Sequence, residues 1–166
     1  MTKLGQAIHF HEKDIRSMGR TAIGVRGIRL KKGDEVVGME VVNSIATPKK
    51  SDQPKKEKQP EESSQTRTPF LLIVSEHGYG KRTNVQQFKI QSRGGSGTKA
   101  AKVTAKTGSI IASRVARDEE ELIVISEKGQ VIRTLLKNIP VLGRATQGVK
   151  VMRLEPGDKS ASITCF

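Results

Sequence analysis

The sequence holds no tryptophan, one tyrosine, four phenylalanines and one cysteine in 166 residues. With aromatics at 3%, a core has to be packed from Val, Ile, Leu and Ala. The lone cysteine, Cys165, excludes an internal disulfide framework and a Cys-based zinc cluster, and reads as a small buried residue. No apolar run approaches the ~18 residues of a membrane span, and no apolar signal segment opens the chain. A cytoplasmic location is therefore expected. Acidic residues are the scarce sign: 17 Asp+Glu against 30 Lys+Arg leave a net charge of +13. A surplus of that size points to a polyanion partner, nucleic acid ahead of an acidic membrane surface.

What the chain does have is repetition. Gly129-Gln130-Val131-Ile132-Arg133-Thr134 matches Gly5-Gln6-Ala7-Ile8-His9-Phe10 at an offset of 124, which holds through Gly143-Arg144, Gly148-Val149 and Gly157-Asp158. A middle copy lies at an offset of 51 from the last, with Ser75-Glu76, Gly78, Arg82-Thr83, Arg93, Gly97 and Lys99 in register until a small shift near Lys106. The units so defined are 1–47, 70–117 and 118–166. Between the first two, 48–69 is rich in Pro, Lys, Glu, Ser and Gln with no apolar residue, which predicts a disordered insertion. The second and third units open with Phe70-Leu71-Leu72-Ile73-Val74 and Leu122-Ile123-Val124-Ile125. Nothing equivalent precedes Thr2, so the first unit is expected to lack a strand, as in a fragment of something longer or a natural start.

Within a unit the pattern is that of short strands. Ile123 to Arg133 reads as a hairpin with Gly129 near its tip, Ser109–Val115 and Val149–Leu154 as further strands, and Glu155-Pro156-Gly157-Asp158 as a turn. No amphipathic helix longer than a turn or two is visible. Four short strands in about 50 residues, repeated, predict an all-β, propeller-like array of three blades.

Charge is placed unevenly: residues 70–116 carry +7 of the +13. Basic residues recur at equivalent positions, as Arg20, Arg93 and Arg144, as Arg26, Lys99 and Lys150, and as Arg29, Lys102 and Arg153. Strict alternation would put Lys150, Met152 and Leu154 on one face and Val149, Val151 and Arg153 on the other. Cations repeated in this way fit phosphates, which they bind without reading bases. In Gln91-Ser92-Arg93-Gly94-Gly95-Ser96-Gly97 the glycines let backbone N–H groups approach a phosphate beside Arg93. The expected DNA contacts are Arg20, Arg26, Lys81, Arg82, Arg93, Gly94, Gly95, Lys99, Lys102, Arg133, Arg144 and Lys150.

At these residues the sequence resembles the C-terminal domain of the DNA gyrase A protein and its paralogue in topoisomerase IV. The resemblance runs through Met18-Gly19-Arg20, Gly24 to Leu30, Gly33 to Met39, Gly78 to Thr83, Gly143 to Val149 and Leu154 to Lys159, and covers all but 48–69. It implies a β-pinwheel of usually six blades exchanging strands, of which three are present, with duplex DNA bent around a basic rim to support negative supercoiling by an ATP-hydrolysing type IIA topoisomerase. The implied partners are double-stranded DNA, the remainder of the topoisomerase A protein and the ATPase B protein, in a cytoplasmic, nucleoid-associated holoenzyme. The family's Gln-basic-Arg-Gly-Gly-basic-Gly box is matched at Gln91, Arg93, Gly94, Gly95 and Gly97, with Ser92 and Ser96 in place of its other two cations. That departure suggests a degenerate copy and leaves a topoisomerase IV tail open.

No catalytic constellation, metal site or cofactor is expected. Tyr79 sits in a glycine-flanked turn unlike a cleavage site, and Gly78-Tyr79-Gly80-Lys81 lacks the upstream glycine of a Walker loop. His9 and His11 have no third ligand nearby, and Asp118-Glu119-Glu120-Glu121 reads as a solvated turn. The competing reading is a non-enzymatic basic propeller that binds acidic proteins.

Overall fold

The computed structural model describes residues 1–42, 69–117 and 120–166. The expected insertion lies, but for Pro69, outside them. The strands are β1 (Gln6–Ala7), β2 (Phe70–Ser75), β3 (Tyr79–Asn84), β4 (Thr98–Lys99), β5 (Ile110–Ala116), β6 (Glu121–Ser126), β7 (Val131–Leu135), β8 (Val149–Lys150) and β9 (Ser160–Cys165). Helix among the described residues is limited to three-residue 3-10 turns at Glu12–Asp14, Val85–Gln87 and Leu136–Asn138. These turns fall at equivalent positions of the three repeats, so the sequence register is also a structural one.

The antiparallel sheets run β5-β2-β3-β8 and β7-β6-β9, with β1 paired to β4. Each of the last two repeats gives one short strand away. β4 of the second repeat pairs with β1 of the first, Gln6 opposite Lys99. β8 of the third pairs with β3 of the second, Tyr79 opposite Lys150. The fourth strand of a blade thus comes from the next copy along the chain.

This exchange places the cores between repeats rather than within them. Leu72, Val74 and Ala116 of the second repeat pack with Leu122, Val124, Leu136, Ile139 and Met152 of the third. Ala7 of the first packs with Ile73, Phe88, Ala100, Ala101 and Ile110 of the second. β2 therefore turns Leu72 and Val74 to one core and Ile73 to the other, which is why Phe70 to Val74 is an unbroken apolar run and not an alternating one. Burying each such side chain contributes about 1.5–3 kcal/mol.

The expected strand over Val149–Leu154 is cut short at Lys150. The Gly78 carbonyl accepts from both Val151 N–H (2.8 Å) and Met152 N–H (3.1 Å). One acceptor serving two successive donors advances the chain by a residue and breaks the alternation. Met152 enters the core at 1% exposure, while Lys150 and Arg153 both stay at the surface. The Gly5 carbonyl treats Ala100 and Ala101 in the same way, at 2.8 and 3.2 Å, leaving Lys99 and Lys102 outside.

The 155–158 turn forms, with Asp158 N–H donating to the Glu155 carbonyl at 3.0 Å and a positive φ of 74° at Gly157. Asp158 Oδ1 accepts from Lys128 and Lys159 N–H at 3.1 and 2.7 Å. Asp34 does the same for Leu4 and Glu35 at 2.9 and 3.0 Å. Thr107 stands in their place in the middle repeat, buried, with its Oγ1 accepting from Thr104 N–H at 3.0 Å; the positive-φ glycine follows it as Gly108 where Gly33 and Gly157 precede the aspartates, which is the local shift near Lys106.

Candidate nucleic-acid interface

β3 carries two cations that the composition assigns to the surface, and the fold turns both inward. Lys81 is 1% exposed, and its ammonium donates to the Gly143 carbonyl (2.8 Å), the Arg144 carbonyl (2.6 Å) and Thr146 Oγ1 (3.1 Å). Arg82 is 6% exposed, donates from Nε to the Ile139 carbonyl at 2.6 Å, and lies over the Phe70 ring. The sequence pattern assigns both to the phosphate rim; both instead fasten the third repeat onto the second. The reason is the strand exchange, which seals this edge of β3 under 139–150 and surrounds the cations with carbonyl oxygens.

Burial pushes Lys81 down to about 8. Its folded pKa is then below its unfolded value, so the unfolded chain holds the extra proton between about pH 8 and the ordinary lysine value. This residue's contribution to stability accordingly rises with pH across that window. Lys81→Met is expected to lose about 2 kcal/mol near neutral pH, because it removes three hydrogen bonds from a buried ammonium. Parallel thermal melts at pH 8 and 10 should show the gap between the native chain and the variant widening at the higher pH.

The arginines of the repeated loops are shared with the preceding repeat. Arg93 donates from Nε to the Asp14 carbonyl at 3.0 Å and from Nη1 to the Arg26 carbonyl at 2.5 Å. Gly94 N–H, expected to face a phosphate, donates to the Gly27 carbonyl at 2.8 Å. The Gly95 carbonyl accepts from Arg29 N–H at 2.8 Å. Arg144 packs over the Phe88 ring, 6.0 Å from its centroid. Arg93 and Arg144 are half-buried; Arg20, in the first repeat, is exposed.

Arg29, Lys99, Lys150 and Arg153 are exposed, as are Arg26 and Lys102. The exchange brings them into one series. Arg29 N–H on Gly95 O joins the cationic segment of the first repeat to the Arg93 loop, and Lys102 N–H on Thr146 O (3.0 Å) joins the segment after β4 to the Arg144 loop. Cationic segment and Arg-bearing loop therefore alternate from one repeat to the next. Lys106 escapes the sequence pattern because it falls at the register shift. With Lys150 it brackets the Tyr79 ring, at 5.6 and 5.4 Å from the centroid, so Tyr79 serves as a platform for two ammonium groups. Arg133 is exposed and ion-paired with Glu121.

His9 Nδ1 lies 3.0 Å from the Phe88 carbonyl, and His11 is exposed. Cys165 is half-buried rather than fully buried, and burial pushes its thiol up. At the junction of the last two repeats, Lys159 Nζ lies 2.5 Å from Glu76 Oε1, which holds the Glu76 carboxyl below its usual range.

Comparison with known proteins gives one consistent neighbourhood. The family model described as DNA gyrase C-terminal domain, beta-propeller, matches residues 1–43, 69–117 and 120–165. The DNA gyrase A protein of Buchnera aphidicola subsp. Baizongia pistaciae is 38% identical over 98% of this chain, and the match covers 16% of that protein. The chain thus spans about a sixth of the length of this curated relative. A solved DNA gyrase A C-terminal domain superposes with a TM-score of 0.77 at 27% identity, over 100% of this chain and 49% of its own. A DNA topoisomerase IV C-terminal domain shares the fold, with a TM-score of 0.81 at 21% identity over 99% of this chain and 44% of its own.

Proposed function

We propose, for a chain that belongs to the DNA gyrase C-terminal beta-propeller family, that it binds duplex DNA along this series of cations and bends it around the rim. It would act as a wrapping module of a type IIA topoisomerase, most closely of the gyrase A protein, with no catalysis of its own. The cleavage tyrosine would belong to the rest of the A protein, and the ATPase to the B protein, of a cytoplasmic, nucleoid-associated holoenzyme.

The observation that carries this reading is the pair of bonds Arg29 N–H to Gly95 O and Lys102 N–H to Thr146 O. They hold a cationic segment beside the Arg-bearing loop of the next repeat, which supports a path of cations running from repeat to repeat. Arg20, Arg26, Lys99, Lys102, Lys150 and Arg153 are the proposed phosphate contacts. Arg93 and Arg144 supply positive potential from partly shielded positions, and Arg133 joins them where Glu121 releases it. Lys81, Arg82 and the Gly94 N–H contribute by holding the loops in place.

Titration of a plain duplex fragment at increasing salt tests the reading. Affinity should fall linearly on log–log axes with a slope of about −0.9 per neutralised phosphate, independent of sequence. A salt-independent affinity, or binding only to an acidic protein, would favour the interaction-propeller alternative.

Ser92 and Ser96 favour one variation. With two cations of the box absent, DNA could be held without being wound in a fixed hand, as a topoisomerase IV tail would hold it. Nick-sealing of relaxed plasmid on the bound protein separates the two, since a positive topological shift marks wrapping and no shift marks attachment alone.

A further inference from the structure

We propose that Tyr79, Lys106 and Lys150 form a seat for one phosphate group at the junction of the second and third repeats. That this phosphate is a diester of the DNA backbone rests on the function proposed above. The seat itself rests on the three side chains and on what surrounds them.

Each of the three is fixed through its backbone. Tyr79 stands opposite Lys150 in the pairing of β3 with β8, which the Val151 N–H to Gly78 carbonyl bond continues at 2.8 Å. Lys106 reaches the same ring from the loop 104–108. His77 N–H donates to the Thr107 carbonyl at 3.0 Å, and His77 Nδ1 lies 3.1 Å from the Lys106 carbonyl. The loop is thus fastened to the residues just before Tyr79. Inside it, Gly108 N–H donates to the Thr104 carbonyl at 2.9 Å. Two ammonium groups are thereby gathered at 5.6 and 5.4 Å from one ring centroid.

The chain supplies no anion for them. Among the described residues neither ammonium is ion-paired, and the Tyr79 hydroxyl makes no hydrogen bond. Glu76, the acid beside this loop, is already engaged, at Oε1 by Lys159 Nζ (2.5 Å) and at Oε2 by Ser109 N–H (3.2 Å). Ammonium groups that share a ring repel each other. A phosphate oxygen between them relieves that repulsion with charge-assisted hydrogen bonds, and the phenol O–H adds a third donor.

The middle repeat alone is built this way. Gln6 and Gln130 occupy the place of Tyr79 in the other two. In those repeats the loop carries an aspartate, Asp34 or Asp158, that accepts from Leu4 or Lys128 N–H. Thr107 replaces it in the middle repeat, where His77 N–H turns to a carbonyl instead. Residues 103–109 hold no acid, whereas 30–35 hold Asp34 and Glu35 and 154–159 hold Glu155 and Asp158. A ring gained and a carboxylate lost therefore meet at one point. A lysine that merely adds to the positive potential of the rim needs neither change. A phosphate held at close range uses both, the ring to collect the cations and the missing carboxylate to spare it repulsion. Such a seat fixes a duplex in register at this junction, where isolated lysines only attract it.

The chain's one tyrosine makes the site its own probe. With an isotope-labelled tyrosine ring, a short duplex should shift the Tyr79 resonances in step with binding, and inorganic phosphate should shift the same resonances more weakly. Tyr79→Gln installs the residue that the other two repeats carry here, so the fold should be kept, as a melt checks. It removes no charge, and is expected to lower duplex affinity about tenfold while leaving the log–log salt slope unchanged. Lys106→Ala should lower that slope by about 0.9, and in its background Tyr79→Gln should lose far less than tenfold. Salt-dependent duplex binding with unmoved Tyr79 resonances, and with Tyr79→Gln binding as the native chain does, would overturn the seat and leave the proposed function standing. A chain that binds no duplex at any salt would overturn the function instead. Resonances that then still follow inorganic phosphate would assign the seat to a free phosphate, and resonances that follow neither would overturn the seat as well.

Discussion

Gly78→Ala is expected to destabilise the chain by about 4 kcal/mol, while Gly129→Ala loses only about 1 kcal/mol. The two glycines occupy the same place in consecutive repeats and share a left-handed backbone, φ +75° and +85°. The intrinsic penalty for a side chain there, about 1 kcal/mol, is therefore common to both. Only at Gly78 does another strand cross overhead. The new methyl would sit 2.3 Å from the Met152 carbonyl, so the crossing segment has to lift. Lifting it breaks the bonds from Val151 and Met152 to the Gly78 carbonyl, each contributing about 1 kcal/mol. It also loosens Met152, which is 1% exposed in the core between the second and third repeats. For a chain of this size, a difference of about 3 kcal/mol should separate the two melting temperatures by roughly 10 °C. Equal losses would mean that the crossing does not determine stability.

The second large effect concerns DNA. Replacing Lys99, Lys102, Lys150 and Arg153 together by alanine should lower the log–log salt slope by about 3.6 and reduce affinity near 0.15 M salt about a thousandfold. All four side chains are exposed, so the folded state should be retained, as a melt of the same sample would check. Lys81→Met provides the contrast. Its ammonium is engaged by Gly143, Arg144 and Thr146, so that change should move the melting temperature and leave the slope near its original value. If the inward lysine altered the slope as much as an outer one, the assignment of cations to track and scaffold would be wrong.

The difference between these two lysine classes marks how far sequence reasoning reaches. The offsets of 73 and 51 residues between copies are periodic facts of the chain, and they place the strands, the 3-10 turns and the 155–158 turn at matching positions. The run Phe70 to Val74 already marks an opening strand; that both its faces are buried is shown only by the two cores it separates. The net charge of +13, and its recurrence at Arg26, Lys99 and Lys150, already imply a polyanion. These features are local, or repeat in register, so one dimension is enough to show them.

Which cations face outward was decided by tertiary structure. Lys81 and Lys99 are the same residue type in the same repeat; one is sealed beneath the third repeat and the other lies at the surface. That outcome depends on carbonyls 62 and 63 residues away in sequence. The same holds for Lys150 and Arg153, which strict alternation would set on opposite faces and which a doubly used carbonyl at Gly78 leaves exposed together. By itself, the sequence determined the repeat, the strands and the sign of the charge, because those follow from neighbours along the chain. Only the exchange of strands between repeats decided which charges became a surface and which became fastenings, because a buried ammonium is tolerated only where distant backbone oxygens converge on it.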